Sequence, residues 1–114
     1  MTYIPGGGTA IVLGQAIPTA ATLTALYTVP VSASAVLSSL VACNQATIQG
    51  RFRVSIAVAG APDEAKQYLY YDEPVDGNDT FVATLDIGLA TTDVVRVQSD
   101  NGEVVFQAFG VQIP

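Results

Sequence analysis

The chain has no histidine and no tryptophan, a single cysteine, and no charged side chain before Arg51. Each absence excludes something. Without histidine, the commonest general base and metal ligand is missing. A serine–lysine pair would have to use Lys66, the only lysine, whose setting in Glu64-Ala65-Lys66-Gln67 reads as an exposed loop edge. Cys43 stands in the apolar run Leu40-Val41-Ala42-Cys43. It forms no intrachain disulfide and reads as a small buried hydrophobe. Without tryptophan, the usual stacking platform for a sugar is absent. No apolar run approaches the ~20 residues of a membrane span. No basic, then apolar leader opens the chain, so synthesis in a cytoplasm and a soluble protein are expected.

The missing charge is the most informative of these. Residues that face water are normally Lys, Arg, Asp and Glu, spread over the whole surface. Here all four basic and all ten acidic side chains lie at or after Arg51, and 12% of the chain is charged, against about 25% in an average protein. The deficit predicts that much of the front stretch is covered in the working state, by sister copies or by a larger shell. Lys and Arg occur only at Arg51, Arg53, Lys66 and Arg96, and the net charge is −6. Clustered cations for a phosphate backbone or an anionic bilayer are lacking, so neither nucleic acid nor membrane is an expected partner.

A chain of 114 residues makes one domain with room for a real core. Residues 1–22 read as an N-terminal arm and 23–114 as the folded domain. The arm contains Pro5-Gly6-Gly7-Gly8 and an uncharged segment, Ala10 to Ala16, able to pair as a strand. That segment either folds back on its own domain or crosses to a neighbour. Gly6-Gly7-Gly8 is not a phosphate loop, because no Lys-Ser/Thr and no helix follow it.

From Leu23 onward, short strands alternate with turn residues: Leu23 to Val29, Ala35 to Cys43, Arg51 to Ala59, Lys66 to Tyr71, Thr80 to Asp86, Asp93 to Ser99 and Glu103 to Val111. In the third, Phe52, Val54, Ile56 and Val58 alternate with Arg51, Arg53, Ser55 and Ala57, giving one buried and one more polar face. Asp100-Asn101-Gly102 between two β-branched runs predicts a closing hairpin. The pattern specifies an all-β, antiparallel β-sandwich of seven or eight strands. It fits a jelly-roll and an immunoglobulin-like topology equally. Strand Ala35–Cys43 is apolar or small on both faces, with Val36, Leu40 and Ala42 expected on one and Leu37, Val41 and Cys43 on the other. The last strand shows Val105 and Phe109 opposite Val104, Phe106 and Ala108. A wetted antiparallel sheet would place polar residues on one of those faces.

Few residues invite chemistry. Asp72, Glu73, Asp76 and Asp79 crowd one corner with Asn78. Hard oxygen ligands of this kind suit calcium, but the segment departs from the EF-hand pattern, having Ala83 where an acid is needed, and reads as a solvated turn. Asp86 and Asp93 bracket a loop and read as loop caps rather than as a glycosidase pair. Tyr68, Tyr70, Tyr71, Phe52, Phe81, Phe106 and Phe109 read mostly as core. No catalytic residue, metal ligand or cofactor site is expected.

Several segments together resemble small virion proteins encoded by tailed bacteriophages. They are Leu26-Tyr27-Thr28-Val29-Pro30, Ser38-Ser39-Leu40-Val41-Ala42-Cys43-Asn44, Phe52-Arg53-Val54-Ser55, Lys66-Gln67-Tyr68-Leu69-Tyr70-Tyr71-Asp72, Gly77-Asn78-Asp79-Thr80-Phe81, the run from Leu85 to Val97, and Phe106-Gln107-Ala108-Phe109-Gly110. The likeness runs in order from about Leu23 to Val111 and leaves the arm outside. It implies a β-sandwich virion component, either a capsid cement (decoration) protein sitting as trimers on the shell or a tail, neck or baseplate accessory. A receptor- or carbohydrate-binding virion module using the tyrosine strand and the acidic corner is a further alternative. The expected partners are the chain itself and the major capsid protein or other virion proteins, and the expected place is the virion, assembled in the host cytoplasm. Expected interface residues are Ile4, Ile11, Val12 and Leu13 in the arm, Val36 and Leu40 in the second strand, and Phe109 in the last. The acidic residues Asp63, Glu64, Asp72, Glu73, Asp76 and Asp79 are expected to face solvent.

Overall fold

The computed structural model describes residues 9–114. Their β-branched and aromatic runs form eight strands: β1 (Thr9–Ala16), β2 (Thr24–Thr28), β3 (Ser34–Asn44), β4 (Gly50–Ala57), β5 (Tyr68–Val75), β6 (Thr80–Leu89), β7 (Val94–Ser99) and β8 (Val104–Ile113). All pairings are antiparallel. The strands build two four-stranded sheets, ordered β1-β8-β3-β6 and β2-β7-β4-β5. Of the chain neighbours, only β4 and β5 share a sheet, and every other connection crosses to the opposite layer. That wiring is a jelly-roll. An immunoglobulin-like sandwich would keep three sequence-adjacent pairs together, two in one sheet and one in the other.

The core lies between the sheets. Phe52 and Phe106 meet at 5.8 Å between ring centroids, Phe81 and Tyr70 complete the aromatic cluster, and Leu37, Leu40, Val54, Val95, Val97 and Val104 are buried around it. At one end Asn44 is fully buried. Its Nδ2 donates to the carbonyls of Ile48, Val75 and Asp76, and its Oδ1 accepts from Ala46 N–H. At the other end Asp93 caps two loops, as expected of it, accepting from the N–H groups of Ala59 and Ala90 at 2.9 Å each.

Three expectations need correction. The predicted closing hairpin does not form, because β7 and β8 lie in different sheets. The turn chemistry is present, with Gly102 at φ +70 and Asn101 Oδ1 accepting from Glu103 N–H. However, both strands bury an apolar face, and they bury it from opposite sides of the core. Residues 9–16 take the first of the two courses expected of that segment, folding back as the edge strand β1 of this same sandwich, paired to β8. In β3 an extra residue between Leu37 and Ser39 resets the alternation, so Leu37, Leu40 and Ala42 all point inward, while Val36, Val41 and Cys43 lie on the outer side. The tyrosine strand continues to Val75, taking Asp72, Glu73 and Pro74 out of the expected turn.

Candidate functional site

The two outer faces of the sandwich differ sharply in charge. β1, β8, β3 and β6 carry one charged side chain among them, Asp86. Register aligns their outward residues in cross-strand rows: Ala10–Val111–Val36–Gly88, then Val12–Phe109–Ser39–Thr84, then Gln15–Gln107–Val41–Val82, then Val105–Cys43–Thr80. The polar groups in these rows are short hydroxyls and a glutamine pair joined at 2.9 Å. Val82 is 63% exposed and Val12 50%. A β-sheet face of this composition is unusual for a surface that meets bulk water.

The edges of both sheets are blunted. Each edge strand carries an extra residue relative to its neighbour: Leu13 in β1, Leu26 in β2, one between Tyr70 and Glu73 in β5, and one between Thr84 and Ile87 in β6. Asp72 and Asp86 take positive φ at the last two, a conformation that aspartate tolerates better than most residues. Bulges twist an edge away from ladder formation, so the sandwich is built to resist strand addition.

The opposite sheet is where the arginines are. Arg51 and Arg53 on β4 and Arg96 on β7 alternate with the core residues of those strands. Each is tied locally. Arg53 donates from Nε to Asp72 Oδ1 at 2.7 Å and from Nη2 to Oδ2 at 3.3 Å, and its guanidinium lies 4.0 Å over the ring of Tyr71. Arg51 donates to the Asp72 carbonyl, and Arg96 to the carbonyls of Ala61 and Gly60. The hydrogen bond from Arg53 holds the Asp72 carboxyl below its usual range and raises the guanidinium in turn.

A cleft of about 480 Å³ opens beside this pair, lined by Arg53, Asp63, Glu64, Ala65, Tyr68 and Tyr71. The β4–β5 loop supplies one wall. Buried Gln67 pins it by donating to Pro62 O at 2.8 Å and accepting from Glu64 N–H. Tyr68 and Tyr71 pack edge to face at 5.1 Å. Burial, and then its bond to Asp63 Oδ1 at 2.7 Å, push the Tyr68 phenol up. Ser55, opposite Tyr68 in register, is buried with a hydroxyl that has no partner among the described residues.

The expected interface residues fall in different places. Ile4 lies outside the described residues. Ile11 and Val12 sit exposed on the edge strand, Leu13 turns inward and packs on the core, and Val36 and Phe109 are half-buried on the charge-poor outer face. Leu40 is 0% exposed at the centre of the core, so it is not an interface residue; the bulge in β3 turns it inward. The corner carboxylates go to separate partners: Asp72 to Arg53, Asp76 to Gln49, Asp79 to Thr80 N–H. Among the described residues no three acids stand close enough to share a cation, and no helix is long and apolar enough to cross a membrane. Sequence reasoning missed the grouping of Arg53 with Tyr68 and Tyr71. The available signal was the alternation of Arg51 and Arg53 on the polar side of β4. No family model matches the chain, and no curated protein matches it either.

Proposed function

We propose that the protein is a non-enzymatic structural subunit of a phage virion, a cement protein that packs the outer face of β1-β8-β3-β6 against sister subunits, as a trimer, and against the major capsid protein. The observation that carries this reading is the scarcity of charge on that sheet, where Asp86 stands alone, while the opposite sheet and the loops hold the other thirteen of the fourteen charges. The resemblance to tailed-phage virion proteins supports the setting. Four strands about 4.8 Å apart and some 30 Å long present roughly 600 Å². Fully covered, that face and the partner surfaces packed on it would together bury about 1,200 Å², the lower end of specific interfaces. That is enough for a weak, repeated contact and too little for an obligate one, which fits a subunit whose hold on a shell sums over many copies. A ring site in a tail, neck or baseplate would use the same face, and copy number separates the two.

The test is occupancy of purified particles by the wild type and by Val82→Lys with Val41→Glu, both outward on the face. Loss of the double variant from particles while its fold is kept supports the reading. Occupancy at the wild-type level overturns it. Hundreds of copies per particle indicate the head, and a handful the tail.

A further inference from the structure

The cleft between the β4–β5 loop and the tyrosines of β5 lies on the sheet that carries the arginines, opposite the charge-poor face. We propose that it is a binding site for a neutral saccharide, with Tyr71 as the stacking surface and Arg53, Asp63 and Glu64 as its hydrogen-bonding rim. This goes beyond the assembly reading and stands without it.

Three observations converge on that ligand class. Tyr71 is 60% exposed, a large ring left open to solvent beside an open surface cleft. Polar groups around it are already held in place by bonds that leave capacity free. Arg53 keeps Nη1 unused while Nε and Nη2 hold Asp72, and Asp63 keeps Oδ2 unused while Oδ1 accepts from Tyr68. Glu64 rides on the loop pinned by Gln67. Groups ordered in advance lose little entropy on binding.

Charge decides among ligands. Asp72 matches Arg53, and Lys66 stands 3.7 Å from Glu64, so Asp63 leaves the site net negative and unfavourable to anions. A cation seeking the aromatic ring meets the guanidinium already stacked on Tyr71. A neutral polyol meets no charge repulsion from the guanidinium or the carboxylates, and it stacks on the part of the Tyr71 ring that Arg53 leaves exposed. Its hydroxyls accept from Arg53 and donate to the carboxylates, and its C–H face packs on the ring, with no charge to desolvate.

The experiment is a two-dimensional ¹H–¹⁵N NMR titration of the full chain with neutral trisaccharides of glucose, galactose, mannose and N-acetylglucosamine, beside 3′-sialyllactose and a hexalysine peptide. At least one neutral sugar is expected to give saturable shifts confined to residues 53, 63–65, 68 and 71. Tyr71→Ala should weaken that binding about tenfold or more, and Tyr71→Phe should retain it. Ala65→Gln, which crowds the cleft from an exposed position, should weaken it independently of any effect of Tyr71→Ala on folding. Absence of these shifts across the neutral panel, or shifts unchanged in both weakening variants, overturns the site. Tighter binding of sialyllactose or hexalysine overturns the ligand class.

Discussion

Asn101 Nδ2 donates to Asn44 Oδ1 across 3.2 Å, joining the β7–β8 crossing to the end of β3. Asn44 itself is fully buried and bonds to backbone groups of the β3–β4 and β5–β6 connections. One amide thus ties together three connections that cross between the sheets. Removing it leaves buried carbonyls without donors, and that loss dominates its value. Asn44→Ala is expected to lower unfolding free energy by about 3 kcal/mol, and Asn101→Ala by about 1 kcal/mol, in urea titrations. The double variant should fall short of the sum, because the two side chains share a bond.

Leu40 and Val82 make a contrasting pair. Leu40→Ala opens a cavity in the core and should cost about 2–5 kcal/mol. Val82→Lys, on the exposed face, should stay within about 0.5 kcal/mol of wild type. Thermal and urea unfolding of the two purified variants check this. A large loss in Val82→Lys would mean that the face is packed within a single chain.

Gly110 stands on β8 opposite Leu37 of β3. A Cβ there would collide with the Val36 carbonyl oxygen, a backbone atom that cannot swing away. Gly110→Ala is therefore expected to destabilise by about 2 kcal/mol or more, or to prevent folding. Circular dichroism and yield of folded protein report the outcome.

The Arg53–Asp72 pair carries a pH signature. The folded Asp72 carboxyl titrates below its unfolded value, chiefly through the hydrogen bond from Arg53. Its contribution is complete above the unfolded value of about 4 and is lost as pH falls through the folded one. The stability gap between wild type and Asp72→Asn should therefore be widest near neutral pH and shrink in acid. Asparagine accepts the positive φ at this bulge, so the backbone is not the variable. A gap that stays constant with pH would assign the effect to something other than the ion pair.

Ser55 is buried with its hydroxyl unpaired among the described residues. Ser55→Ala removes a polar atom that gains nothing in the folded state, so stability should be unchanged or rise by up to about 1 kcal/mol. A clear drop in melting temperature would show that the hydroxyl has a partner.

Much of the sandwich was legible because period-two alternation is local. Phe52 and Val54 against Arg51 and Arg53, and Phe106 and Ala108 against Val105 and Phe109, lie on the faces their spacing predicts. The strand count followed from the same signal. The misreadings share a cause. The bulge at Ser38 moves Leu40 inward, and nothing in Leu-Ser-Ser-Leu announces an extra residue. Asp100-Asn101-Gly102 specifies a turn, but not whether its flanking strands lie side by side or face each other across a core. The cleft was hidden because Arg53, Asp63 and Tyr71 come from three separate segments that meet only when β5 pairs with β4.

The uncharged first fifty residues determined that some large surface of this protein avoids charge. They did not determine which one. That asymmetry belongs to a sheet rather than to a stretch of chain. β6 and β8, from the second half, complete the layer whose one charge is Asp86, while β2, from the first half, joins the layer that carries the arginines. Composition records how much charge each segment holds. Only the jelly-roll crossings, which send nearly every successive strand to the opposite layer, decide which segments share a face, because a face is assembled by pairing between strands distant in sequence.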